Sequence, residues 1–117
     1  MDLEEIKRNY FRIGVRGNDA VSISINSVPY EVLDIGDNGI GIRLTAEDIF
    51  LSVGDELPLE LTLEKQVFKI QGKVVHISPS EPEELLCGIK FMTIEKKTKT
   101  KLMKQLQSFR EKIFKEE

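Results

Sequence analysis

The sequence predicts a mainly β protein, an antiparallel barrel or sandwich finished by one C-terminal α-helix. Three observations lead there. Apolar and polar residues alternate with period two through the middle of the chain, and turn-forming residues separate the runs. After Thr93 the apolar period changes to that of a helix. A chain of 117 residues fits one domain that can bury a modest core. Its 40% hydrophobic and 32% charged content belongs to a folded chain, not a disordered one.

The elements follow in order. Val21, Ile23 and Ile25 alternate with Ser22, Ser24 and Asn26, and a short apolar strand ends at Val32-Leu33. Ile40, Ile42 and Leu44 alternate with Gly41 and Arg43. Leu57, Leu59, Leu61 and Leu63 alternate with Pro58, Glu60, Thr62 and Glu64. Phe68 and Ile70 open a run that continues through Val74-Val75-His76-Ile77, and Ile89 and Phe91 close the pattern. Each run has one apolar and one polar face, as in an antiparallel sheet wrapped around a core. Gly17-Asn18-Asp19, Asp37-Asn38-Gly39, Gly54-Asp55 and Ser78-Pro79-Ser80-Glu81-Pro82 are the turns. Gly72, inside a strand run, is expected to mark a bulge or sharp bend. Leu102, Leu106, Phe109 and Ile113 recur at helical spacing, widened by Met103 and Phe114. That stripe is expected to cap the open end of the barrel, with a partner or dimer interface as the rival reading.

Composition narrows the function. The longest apolar runs, such as Ile49-Phe50-Leu51, are far too short to insert in a membrane, and the acidic start Met1-Asp2-Leu3-Glu4-Glu5 holds no signal-peptide core. The single cysteine, Cys87, makes no internal disulfide and sits in an apolar strand, which points to a buried thiol and a cytoplasmic protein. Net charge is −3, from 17 basic and 20 acidic residues, so DNA and other long polyanions are disfavoured. A barrel for single-stranded nucleic acid fits poorly for the same reason and for its lack of exposed aromatics. An anionic ligand must be small and held locally, and Lys7, Arg8, Arg12 and Arg16 form the best cluster. The lone His76 has no partners for a metal site and reads as structural or surface. No nucleophile elbow, phosphate loop or Cys-x-x-Cys occurs, so no enzyme, cofactor or metal is expected.

Two short boxes carry chemistry. Arg8-Asn9-Tyr10-Phe11-Arg12 places two guanidiniums four residues apart, on one face of the arm whether it is helical or extended. Their rigid forks fit phosphate and guanine edges, and each charge-assisted hydrogen bond contributes about 1.5–3 kcal/mol. In Asp34-Ile35-Gly36-Asp37-Asn38-Gly39, the Asp34 carboxylate can accept from a guanine N1–H and amino group. Gly36 and Gly39 allow close backbone approach or positive φ.

In this order and on this strand pattern, the boxes resemble the PilZ domain family. That family carries Arg-x-x-x-Arg before its first strand and Asp/Asn-x-Ser-x-x-Gly on the following hairpin. Ser52-Val53-Gly54-Asp55-Glu56-Leu57, Gly72-Lys73-Val74-Val75 and Cys87-Gly88-Ile89-Lys90-Phe91 extend the likeness along the chain. The resemblance implies a mainly β fold, a six-stranded antiparallel split barrel with a C-terminal α-helix. It implies a flexible arm over 1–12, the barrel over 13–94 and the amphipathic helix over 95–117. It also implies a bacterial receptor for cyclic di-GMP, gripped by Lys7, Arg8, Arg12, Asp34, Gly36 and Gly39. Such a receptor signals by ordering its arm and changing contact with an effector protein, or by forming a homodimer through its helix. The chain departs from the family at Gly36, where serine is expected. The lost hydroxyl is worth about 0.5–1.5 kcal/mol, a few-fold to tenfold in affinity. An adaptor that keeps the fold without the nucleotide is the alternative reading.

Overall fold

The computed structural model describes residues 12–45, 51–81, 84–92 and 94–116. Its strands are β1 (Arg12–Gly14), β2 (Val21–Ile25), β3 (Val28–Tyr30), β4 (Val32–Gly36), β5 (Gly39–Thr45), β6 (Glu56–Leu63), β7 (Gln66–Glu81) and β8 (Glu84–Phe91). One helix, α1 (Lys96–Glu116), follows. All eight strands join a single antiparallel sheet in the order β1-β4-β5-β8-β7-β6-β2-β3. The expectation of six strands is thus corrected to eight. The two extra strands, β1 and β3, have three residues each, too few for a period-two signal to register.

The sheet curls until β2 touches β4 and β3 touches β5, which closes most of a barrel. Its inner face is the core. Ile23, Ile35, Ile40, Ile42, Leu61 and Val74 are each at most 2% exposed. Leu102, Leu106 and Phe109 of α1 belong to the same cluster, so the stripe predicted from the sequence caps the barrel. The helix is also tied by its polar side. Gln105 Nε2 donates to Glu64 Oε1 at 3.1 Å, and Lys112 Nζ donates to Glu64 Oε2 at 2.7 Å. Glu64 occupies the tight β6–β7 turn, where Glu64 and Lys65 take φ of 49° and 75°. Asn26 and Ser27 form the matching β2–β3 turn at 53° and 68°. Both pairs adopt the doubly positive φ of a two-residue hairpin without a glycine.

Two bulges govern which residues face outward. In β4 the pairing jumps from Val32↔Ile42 to Asp34↔Gly41, so Leu33 is the extra residue. Val32 and Ile35 both point into the core although they are three positions apart, an odd spacing. Strict alternation would bury position 34, and the extra residue turns it out instead. In β7 the pairing jumps from Val74↔Ile89 to His76↔Gly88, which makes Val75 the extra residue. The sequence placed the irregularity at Gly72, and the structure moves it three residues on. Gly72 faces inward, where a Cβ would come within 2.6 Å of Leu59 and 2.7 Å of Ile89. Glycine is needed there for packing, not for a bend.

Truncating the helix stripe by Leu106→Ala should cost about 2–5 kcal/mol, read by urea denaturation, because this side chain is wholly buried against the barrel. Cys87 supplies a second test. It is wholly buried, and burial raises its thiol from 9.0 to about 11. The unfolded thiol ionises above pH 9 while the folded one stays protonated to about pH 11, so stability falls as pH rises through that window. Cys87→Ala should flatten this part of the stability–pH curve relative to the wild type.

Candidate functional site

The outward positions of β1, β4, β5, β8 and β7 form two cross-strand rows. One row runs Gly14, Asp34, Gly41, Gly88 and His76, each opposite the next. The other begins at Gly36, which the Arg12 backbone pairs with, passes the Asp37-Asn38 turn, and continues with Gly39 opposite Lys90 and Lys90 opposite Lys73. Glycine fills the middle of both rows. The result is a flat floor with few side chains rising from it, and flat floors suit planar rings.

Two side chains lean over that floor. A Cβ at Gly41 would stand 3.0 Å from both carboxylate oxygens of Asp34, so the Asp34 carboxylate lies over Gly41. A Cβ at Gly88 would overlap the His76 imidazole, so that ring lies over Gly88. Gly41 and Gly88 are direct partners, which makes Asp34 and His76 reach toward each other from opposite sides of one glycine pair. The two bulges produce this arrangement, since each places one of these residues outward. An open cavity of about 390 Å³ occupies the His76 side, between Asn38, Gly39, His76, Gly88 and Lys90.

Gly39 serves a separate purpose. A Cβ there would sit 2.5 Å from the Ile89 carbonyl oxygen, so only glycine admits the close approach of β5 to β8. Neither Gly36 nor Gly39 has positive φ, and of the two reasons foreseen close approach holds at Gly39. The turn between them is held by the Phe91 N–H donating to the Asn38 carbonyl at 2.8 Å.

The outer face is cationic on one side only. Arg43, the next outward residue of β5, is engaged by Glu31 at 2.5 Å and by Glu84 at 3.5 Å. Among the described residues, Lys90 and Lys73 stand beside the floor with no carboxylate in ion-pair contact. No group of residues fit to hold a metal ion occurs among the described residues.

Of the residues singled out in the sequence, Asp34, Gly36 and Gly39 come together on this face. The backbone of Arg12 pairs with Gly36, so the end of the first box meets the middle of the second. Lys7 and Arg8 lie outside the described residues. The structure adds neighbours that the sequence reading did not place on this face, namely Gly88, Lys90, Lys73 and the surface residue His76. The available signal was Gly88, an isolated glycine within a strand, which marks a close approach by something. That the approaching group is His76 depends on the register after the Val75 bulge.

The family model for the PilZ domain matches residues 6–108. The chain therefore belongs to the PilZ domain family. No curated protein matches it. Several solved structures resemble it, among them the following three. Escherichia coli YcgR, in a complex with c-di-GMP, superposes with a TM-score of 0.70 at 15% identity, covering 91% of this chain and 47% of that one. The Bacillus subtilis inhibitor of motility, MotI, gives 0.65 at 18% identity over 90% of this chain and 50% of its own. An uncharacterised Legionella protein gives 0.63 at 17% identity over 88% and 97%. The chain thus spans about half the length of YcgR and MotI. At these identities the likenesses establish the fold.

The two floor glycines should respond differently to alanine. Gly39→Ala presses a methyl against backbone that cannot swing aside, and should cost about 1–3 kcal/mol. Gly88→Ala meets an exposed ring that can rotate away, and should cost less than about 1 kcal/mol. Paired denaturation curves would separate them.

Proposed function

We propose that this domain binds cyclic di-GMP on the glycine floor and relays that binding to a protein partner. The observation that carries the reading is the Arg12↔Gly36 pairing, which joins two boxes that are far apart in sequence. A guanine laid on the floor places its N1–H and amino group toward the Asp34 carboxylate, an acceptor for both. Arg8 and Arg12, with Lys7 beside them, supply forked donors for the guanine O6/N7 edge and for the phosphates. Gly36 and Gly39 let the ligand approach the backbone. The His76 ring bounds the far side of the floor.

Binding, not catalysis, is the role that this set of groups supports. The output is ordering of the arm over 1–12, which changes a contact with an effector protein in the cytoplasm. Self-association through α1 is a second output. It would have to use surface other than Leu102, Leu106 and Phe109, which the barrel already covers. No helix among the described residues is long and apolar enough to cross a membrane.

Gly36 favours a second reading. Without the family's hydroxyl the domain is an adaptor that retains the fold and recognises its partner without nucleotide. Calorimetric titration separates the two. The receptor reading expects micromolar binding, about −8 kcal/mol, weakened at least tenfold by Arg12→Ala or Asp34→Ala. Gly36→Ser should then tighten binding a few-fold. Absence of heat up to about 1 mM ligand, near −4 kcal/mol, would leave the adaptor reading.

A further inference from the structure

Beside the glycine floor, past the Asp37-Asn38 turn, a cleft of about 500 Å³ opens toward the start of α1. Lysines from three elements enter it: Lys73 of β7, Lys90 of β8 and Lys99 of α1. Phe91, Met92 and Ile94 line its apolar side, and Asp37 is the carboxylate on its rim. We propose that this cleft is a binding site for a phosphate group.

Four observations carry the proposal. Lys73 and Lys90 are direct cross-strand partners on the same outward face, an arrangement of like charges that weakens a sheet. None of the three lysines is ion-paired with a carboxylate among the described residues. The residue opposite Lys73 on its other flank is Glu56, on the side away from the cleft. The first turn of α1 contains no acidic residue and holds Lys96, Lys97 and Lys99, with Glu95 directly before it as the one carboxylate at that helix end, which favours negative charge. The like charges of the Lys73–Lys90 pair and of the first helical turn are relieved by one bound anion. A phosphate oxygen can accept from several ammonium groups at once, and the exposed N–H groups at the start of α1 favour the same charge.

Asn38 and Lys90 line both this cleft and the cavity beside His76, so the two sites adjoin. A phosphodiester of a nucleotide lying on the floor therefore reaches the lysines, and so does a separate phosphorylated small molecule. The shared chemistry is the phosphate group. Because Lys99 belongs to α1 while Lys73 and Lys90 belong to the sheet, an occupant fastens the start of the helix to the barrel.

The test uses the full chain, inorganic pyrophosphate as probe, and the variant Lys73→Gln/Lys90→Gln/Lys99→Gln. A control, Lys101→Gln/Lys104→Gln, removes exposed helix lysines outside the cleft. Pyrophosphate should bind the wild type and the control alike, bind the triple variant at least tenfold more weakly, and raise the melting temperature of the first two only. Without pyrophosphate the triple variant should melt above the wild type, since the Lys73–Lys90 repulsion is gone. Competition between pyrophosphate and cyclic di-GMP would assign the phosphate to the nucleotide, and simultaneous binding would assign it to a separate molecule. Equal pyrophosphate binding by wild type and triple variant, or none by either, overturns the proposal. If cyclic di-GMP does not bind while pyrophosphate binding still depends on the three lysines, the receptor reading falls and the phosphate site stands.

Discussion

Strand parity is the constraint on which the rest of this molecule depends. Side chains along a strand must alternate between faces, and a single inserted residue reverses every assignment after it. Here two insertions, Leu33 in β4 and Val75 in β7, turn Asp34 and His76 outward while the residues on both sides keep their place in the core. The same outer face then needs room for those side chains, and Gly41 and Gly88 supply it. Bulge and glycine act together on each side of the floor. Neither would place a polar group there alone.

The two faces of the sheet have divided the physical work between them. Every fully buried side chain among the described residues is apolar or the single cysteine, so cohesion comes from packing on the inside. The outside accepts arrangements that cost stability: glycines in strand interiors, which lose more backbone freedom on folding than any other residue, and like charges set opposite each other. A sheet that carries such features on one face must have a well-packed opposite face. This one continues its core into α1 through Leu102, Leu106 and Phe109.

Much of this was legible in the sequence. Alternation located five of the longer strands, the apolar pair Val32-Leu33 pointed to β4, which runs on to Gly36, and the change of period located the helix. Wherever one face was apolar over five or more residues, the reading held. It failed for β1 and β3, whose three residues carry no period, and for the Glu64-Lys65 hairpin, which lacks the glycine that announces such turns. Asp34, Gly36 and Gly39 were found because their box is local. His76 and Lys73 were not placed on this face because their importance lies in what stands across from them, and register past a bulge is a tertiary property.

Glu64 has one more implication. A glutamate with positive φ is a poor choice for its own turn, and it holds Gln105 and Lys112 at separations of 41 and 48 residues. Those contacts close long stretches of chain, an entropic cost that must be met before they return anything. Both contacts depend on the β6–β7 turn that presents the carboxylate. One turn residue thereby links the sheet to two successive turns of the C-terminal helix, so a change at Glu64 would be felt at the far end of the chain.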